Sequence, residues 1–145
     1  MLPDRKTLPH GLPSWVDERD LWFVTICCER PCARPLMDPL ISQGIRAGLA
    51  KAQSDGRLQL RLCTLMPDHL HLIAQWNHNR GMRHEVAQLK RWWARQLGIR
   101  WQRDFFDHRL RSAKEFEEKA MYVRMNPVRA GLVSRAEDWP HTWTG

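Results

Sequence analysis

The chain has 145 residues, of which 43% are hydrophobic and 27% charged, a balance typical of one globular domain with a sizeable core. It contains no apolar run of about 18 residues, so we expect no membrane span. The first residues lack the apolar segment of a secretory signal, which predicts a cytoplasmic protein. The net charge of +7 favours a polyanionic partner, because each neutralised phosphate releases counterions.

The N-terminal residues predict an extended arm followed by a strand. Residues 1–20 are rich in proline and charge, and Arg5 and Lys6 are candidates for phosphate contacts. Residues 21–28 are β-branched and aromatic and are apolar on both faces, which is typical of a central strand. We interpret residues 1–145 as one domain with residues 1–20 as its arm.

A helix and a second strand follow. Asp38 and Pro39 are a cap residue and a proline at the first helical position, and an apolar stripe continues to about residue 53. Residues 58–65 alternate, which predicts a strand. Its expected faces carry Leu58, Leu60 and Leu62 on one side and Gln59, Arg61 and Cys63 on the other.

Two histidines, His69 and His71, stand one residue apart within residues 66–76, which predict a strand paired with the preceding one as a hairpin. Because side chains alternate along a strand, both imidazoles project from the same face. At roughly 7 Å separation they can share one metal ion. The alternative is two half-exposed strand histidines without a ligand role.

The next segment predicts a basic amphipathic helix that ends at Gly98, a glycine typical of a helix C-terminus. Its polar faces carry Arg83, Lys90, Arg91 and Arg95. Such a face is often only solvated, but in a chain of charge +7 these residues are candidates for nucleic-acid contact.

The last helix carries the only tyrosine of the chain, Tyr122. Residues 101–108 predict a short strand or extended segment, and Ser112 with Glu115 is a capping box that opens the helix. We expect the helix to end near Asn126, because Pro127 follows. Tyr122 and Asn126 are four residues apart and therefore project from one helix face.

Together, two imidazoles and an amide oxygen suit a divalent ion such as Mg²⁺ or Mn²⁺ that engages a phosphate. A phenol activated in that environment can attack phosphorus and form a covalent phosphotyrosine. His108 and Glu118 are weaker candidates for orienting a ligand or Tyr122. The alternative for Tyr122 is an amphipathic residue at the edge of the core.

Three segments resemble the motifs of the HUH single-strand DNA transposases. The histidine-hydrophobe-histidine motif is matched by MPDHLHL, the C-terminal signature by WQRDFFDHRLRS and YVRMNPVRAGLV, and the arm and first strand by LPHGLP and FVTICCERP. The resemblance covers nearly the whole chain. It is to the IS200-like, single-tyrosine (Y1) family and, within it, to the REP-associated tyrosine transposases. Asp68 departs from the asparagine most often found there.

The resemblance implies an α+β fold with a central antiparallel sheet flanked by helices, of the RRM/ferredoxin-like HUH type. It also implies that His69, His71 and Asn126 hold Mg²⁺ or Mn²⁺, with no organic cofactor, and that Tyr122 is the nucleophile. The implied partner is single-stranded hairpin DNA, such as a palindromic REP element, which is cleaved and rejoined through a 5′-phosphotyrosine. The candidate DNA contacts are Arg5, Lys6, Arg83, Lys90, Arg91, Arg95 and Arg103.

Some alternatives stay open. The chain can act as a monomer or as a homodimer in which Tyr122 serves the partner's histidines. A non-catalytic module that binds DNA or RNA hairpins explains the charge without the chemistry. A zinc-stabilised regulator would instead use Cys28 and Cys32 with His69 and His71.

Overall fold

The computed structural model describes residues 21–145, so Arg5 and Lys6 lie outside the described residues. A short 3₁₀ turn at Ala136–Asp138 precedes the last strand. The strands and α-helices are β1 (Leu21–Cys27), α1 (Pro39–Ser54), β2 (Leu58–Leu65), β3 (His69–Trp76), α2 (Met82–Leu97), β4 (Phe106–Arg109), α3 (Ala113–Arg129) and β5 (Thr142–Trp143).

The strands form one antiparallel sheet in the order β4-β1-β3-β2-β5. The first six elements follow the order β-α-β-β-α-β, and the first four strands of the sheet have the ferredoxin-like neighbours 4-1-3-2. The predicted α+β class and the predicted β2–β3 hairpin are both confirmed. The histidine strand β3 lies at the centre of the sheet.

Helices cover both faces of the sheet. Leu70 and Leu72 of β3 pack with α1 and α2, whereas Ile73 packs with Ala120 and Val123 of α3. Because residues alternate along β3, the face that carries His69 and His71 is the face covered by α3. This arrangement places the tyrosine helix over the histidine strand.

The predicted helix signals of the first half are confirmed. The side chain of Asp38 accepts a hydrogen bond from the Leu40 amide, with Pro39 at the first helical position. At the end of α2, Gly98 adopts a left-handed conformation (φ 70°) and its amide donates to the carbonyl of Ala94. These caps orient the two helices that support the sheet from one side.

Gly48 is expected to be essential to the packing of α1 on α2. A Cβ atom there would lie 2.4 Å from Nε1 of the fully buried Trp93. At Gly44 the nearest atom is the end of the Leu97 side chain, which can rotate away. Gly48→Ala should therefore be less stable than Gly44→Ala by about 2 kcal/mol, although both gain the same helix propensity. Urea unfolding of the two variants measures this difference, and equal stabilities would contradict it.

The face assignment predicted for β2 is wrong beyond Leu60. A register shift lies between Leu60, which pairs with Ala74, and Leu62, which pairs with the next residue, Ile73. The extra residue, Arg61, reverses the alternation, as a β-bulge does. Leu62 therefore packs beneath α3, and Cys63 joins the core on the α1–α2 side.

The predicted end of α3 is also wrong, because the helix continues through Pro127 to Arg129. A proline lacks an amide hydrogen and crowds the preceding turn, but here it lies in the last turn of the helix and is buried. The amides of Ala130, Gly131 and Leu132 still bond to carbonyls of that turn. Asn126 thus remains on a regular helix, one turn from Tyr122.

Residues 101–108, predicted as a short strand or an extended segment, form a strand only in their last part, which continues one residue further. Only Phe106–Arg109 forms β4, at the edge of the sheet, whereas Trp101 makes a single bridge with Cys28.

Among the described helices, none has the length and apolar character needed to cross a membrane.

Candidate active site

His71 is the most deeply buried polar group of the site, with 4% of its surface exposed. The amide nitrogen Nδ2 of Asn126 lies 2.7 Å from His71 Nε2, and the hydroxyl of Thr25 lies 2.8 Å from His71 Nδ1. Since Asn126 Nδ2 donates, Nε2 accepts and Nδ1 carries the proton toward Thr25. Burial, followed by the neighbouring charges, lowers the pKa of His71 from 6.5 to about 3.

His69 is oriented by the turn that precedes β3. Its Nδ1 lies 2.8 Å from Oδ1 of Asp68, and Oδ2 of the same carboxylate pairs with Arg30 at 2.9 Å. The hydrogen bond to His69 is the largest cause that lowers the pKa of Asp68. A carboxylate on Nδ1 fixes the ring and leaves Nε2 for a ligand, the usual arrangement of a metal-binding histidine. The departure at position 68 thus has a structural role.

Helix α3 brings Tyr122 to the histidines. The ring centroid of Tyr122 lies 6.1 Å from that of His71 and 6.4 Å from that of Phe23. The Phe23 ring in turn stacks on His71, with 5.4 Å between the ring centroids. Tyr122 is 45% exposed, so a large substrate can reach this side chain. The predicted grouping of His69, His71, Tyr122 and Asn126 is therefore found within one chain.

Two cations beside Tyr122 are absent from the sequence prediction. The Lys119 ammonium lies 5.1 Å from the Tyr122 ring centre, and the Arg129 guanidinium lies 4.4 Å from it. Arg129 also donates a hydrogen bond to the backbone carbonyl of Tyr122. The spacing of residues 119, 122, 126 and 129 is that of one helix face, so helical periodicity would have identified both cations.

The donor set fits a small divalent ion. The rings of His69 and His71 lie 4.8 Å apart, and Asn126 contacts His71 directly. A cation would use the Nε2 lone pair that now accepts from Asn126, so the amide would turn its oxygen toward the ion. Two imidazole nitrogens and an amide oxygen are donors that a divalent ion can use, with water completing its coordination. No group of three His, Cys, Asp or Glu side chains suited to a metal occurs within residues 21–145.

The alternative of a zinc site shared by Cys28, Cys32, His69 and His71 is wrong, because the cysteines do not lie beside His71. Cys28 belongs to the core on the α1–α2 side of the sheet, and Cys32 packs against that core. His71 lies under α3, on the opposite face, where it contacts Phe23 and Tyr122. The sheet therefore separates the two cysteines from His71.

The candidate DNA contacts on α2 differ in their surroundings. Lys90 donates to the carbonyls of Gln102 and Arg103, at 2.9 and 3.1 Å, and burial lowers its pKa. Its ammonium therefore anchors the segment after α2. Arg83 pairs with Asp107 of β4 at 3.1 Å.

The other candidate basic residues are more accessible than Lys90. Arg91, Arg95 and Arg103 are exposed. Arg91 and Arg103 line an open cavity of about 490 Å³ together with Trp101 and Phe105. A basic cavity with aromatic walls is typical of a surface that binds single-stranded nucleic acid.

The two weaker candidates have different outcomes. His108 of β4 pairs in register with Phe23, so it lies on the histidine face, where it is exposed. Glu118 is exposed on α3, and within residues 21–145 no hydrogen bond or ion pair joins it to Tyr122 or to the histidines. We therefore keep His108 as part of the surface beside the site and assign no role to Glu118.

Comparison with known proteins supports the resemblance predicted from the motifs. A REP-associated tyrosine transposase of Escherichia coli K12 is 25% identical over 124 residues, which cover 82% of this chain and 73% of that protein. A protein of Haemophilus influenzae assigned to the same group is 32% identical over 96 residues, or 54% of either chain. No family model matches.

A solved structure supports the fold. A REP-associated tyrosine transposase bound to a REP hairpin superposes with a TM-score of 0.76 at 22% identity, covering 90% of this chain and 80% of that one. At 22% identity, this structure shows the fold alone. The two relatives confirm the resemblance to the REP-associated tyrosine transposases.

Proposed function

We propose that this chain, as a relative of the REP-associated tyrosine transposases, binds hairpins in single-stranded DNA and cleaves and rejoins the strand through Tyr122. One observation carries the proposal. Tyr122 and Asn126 of α3 meet His69 and His71 of β3, about 50 residues earlier in the chain, at a half-exposed site flanked by two cations. A tyrosine that served only in packing would not need two histidines, an asparagine and two cations around it.

In the proposed reaction, the Tyr122 hydroxyl oxygen attacks the scissile phosphorus. A bond forms between the tyrosine oxygen and phosphorus, and the bond from phosphorus to the 3′ oxygen breaks. The phenol loses its proton, and the leaving 3′ oxygen gains one. The product is a 5′-phosphotyrosine with a free 3′-hydroxyl. Attack by a 3′-hydroxyl reverses the step, so rejoining needs no separate energy source.

The surrounding residues have distinct proposed roles. Lys119 and Arg129 attract the phosphate to the face that carries Tyr122. Their positive charge stabilises the negative charge on the phosphate oxygens. His69, His71 and Asn126 would hold the divalent ion. When bound, such an ion polarises the phosphodiester and orients its oxygens. Thr25 and Asp68 fix the two imidazole rings from behind.

A covalent-trapping assay tests this proposal. Purified protein is mixed with labelled single-stranded hairpins from the flanks of its own gene, with Mg²⁺, Mn²⁺ or EDTA. We expect a protein–DNA adduct that survives SDS, forms with either metal and is lost in EDTA. Peptide mapping of the adduct should place the DNA on Tyr122.

The principal alternative is a hairpin-binding module without chemistry. It is favoured by the basic cavity beside α2, which can hold a strand whether or not Tyr122 reacts. Its signature is tight binding of the same hairpins with no adduct under any metal condition. That result would contradict the proposed catalysis and leave DNA binding in place. Sedimentation of the same protein distinguishes a monomer from a homodimer, the two states that the sequence leaves open.

A further inference from the structure

Phe106 is an aromatic residue that the fold leaves uncovered. It lies on β4, an edge strand, and 69% of its surface is exposed, more than any other large hydrophobic side chain in the described part of the chain. The adjacent Phe105 packs against the core on the α1–α2 side. Burial of a phenylalanine side chain stabilises a protein, so the exposed Phe106 ring does not contribute that stabilisation.

The register of the sheet places Phe106 in the same row as the buried histidine. Phe106 pairs with Thr25, and Thr25 pairs with His71 on its other side. Residues that face each other in an antiparallel pair project from the same face, so the Phe106 ring lies on the histidine side. Two strand spacings separate Phe106 from His71, about 10 Å. A short stretch of single strand can therefore contact both positions.

The other residues of β4 support this orientation. Asp107 pairs in register with Val24 and bonds to Arg83 of α2, which lies on the opposite face. Arg109 lies over the ring of Trp22, which packs against the α1–α2 core. Phe106 and His108 therefore alternate with them and face the Tyr122 side.

From this placement we propose that Phe106 is the stacking platform for an unpaired nucleobase next to the phosphate that Tyr122 attacks. The inference rests on the proposed function and adds a specific subsite to it. The charge of the same face fits this occupant, since the ammonium of Lys119 lies over the Phe23 and Tyr122 rings and can meet the flanking phosphate. Stacking on a single ring accepts any base, so the subsite favours unpaired nucleotides over duplex without selecting a sequence.

A binding cycle with two oligonucleotides tests the platform. One is a hairpin with unpaired flanking nucleotides, and the other has abasic sites in those flanks, which removes the bases but keeps every phosphate. We expect Phe106→Ala to weaken binding of the intact oligonucleotide by about ten-fold, the size of one base–aromatic stack. The abasic oligonucleotide should bind the variant and the wild type equally. Phe106→Trp should retain the affinity.

Leu40→Ala is the matched control, because Leu40 is 66% exposed but lies on α1, beyond the opposite face of the sheet. It should bind both oligonucleotides as the wild type does. Equal affinities of Phe106→Ala and the wild type for the intact hairpin would overturn the platform.

Two other results would also decide against it. A ten-fold loss for both oligonucleotides would show that Phe106 does not act through a base. A change from dimer to monomer in Phe106→Ala, with DNA binding unchanged, would assign the ring to a contact between copies of the chain. If the wild type binds no hairpin, the proposed function itself is overturned. This result is distinct from a failure of the Phe106 platform, in which the wild type still binds.

Discussion

Replacing Tyr122 with phenylalanine should abolish the SDS-resistant adduct and leave hairpin binding unchanged. The substitution removes only the oxygen that attacks phosphorus. The ring remains, and with it the edge contact to Phe23 and the position of the Arg129 guanidinium, 4.4 Å from the ring centre. We expect strand cleavage to fall by at least about a thousand-fold, as it does when a covalent nucleophile is removed. Gel analysis of the adduct and fluorescence anisotropy of the hairpin measure the two effects.

Met121→Ala is the control for this experiment. Met121 is the neighbour of Tyr122 on α3 and is 61% exposed, so its truncation alters the same surface without touching the hydroxyl. It should still form the adduct. If Tyr122→Phe also forms the adduct, then Tyr122 is not the nucleophile, whatever the binding data show.

The main features of the site could be predicted from the sequence because each depends on a local period. The two-residue period of a strand puts His69 and His71 on one face, and the four-residue spacing of a helix aligns Tyr122 with Asn126. The apolar side of α3 then determines which side of the helix packs on the sheet, where Ala120 and Val123 meet Ile73. None of these steps depends on the register between strands that are distant in the sequence.

The contacts that tune the histidines could not be predicted in this way. The hydrogen bond from His71 to Thr25 depends on the register between β1 and β3, which joins residues 46 positions apart. The bulge at Arg61 likewise depends on pairing with β3, and the sequence of β2 alone does not predict it. Register is set by the packing of the whole sheet, so a local pattern does not contain it.

Lys90 illustrates a further limit of the sequence. Its place on a basic helix face made it a candidate for phosphate contact, but the carbonyls of Gln102 and Arg103 come within reach only after the chain folds back along α2. Arg91 has the same signal in the sequence and remains exposed. Charge on a helix face therefore predicts a basic surface better than it predicts which residues are available for DNA.

The pKa of His71 predicts that the metal-free protein loses stability on mild acidification. Burial lowers this pKa from 6.5 to about 3, so the folded protein keeps the imidazole neutral where the unfolded chain binds a proton. Stability falls wherever the unfolded state binds more protons as the pH is lowered. The contribution of His71 is therefore fully present above pH 6.5 and is lost progressively between 6.5 and about 3. At pH 5 the expected loss is about 2 kcal/mol.

Urea unfolding in EDTA at pH 7 and pH 5 measures this loss, with His71→Gln as the comparison. Glutamine cannot gain a proton, and its amide oxygen can still accept from Asn126. The variant is expected to be less stable at pH 7 but to lose about 2 kcal/mol less than the wild type on going to pH 5. Because the other titrating groups are common to both proteins, their contributions cancel in this difference. An equal loss in the two proteins would mean that His71 is protonated in the folded state at pH 5, and hence that the hydrogen bond from Asn126 to Nε2 is broken there.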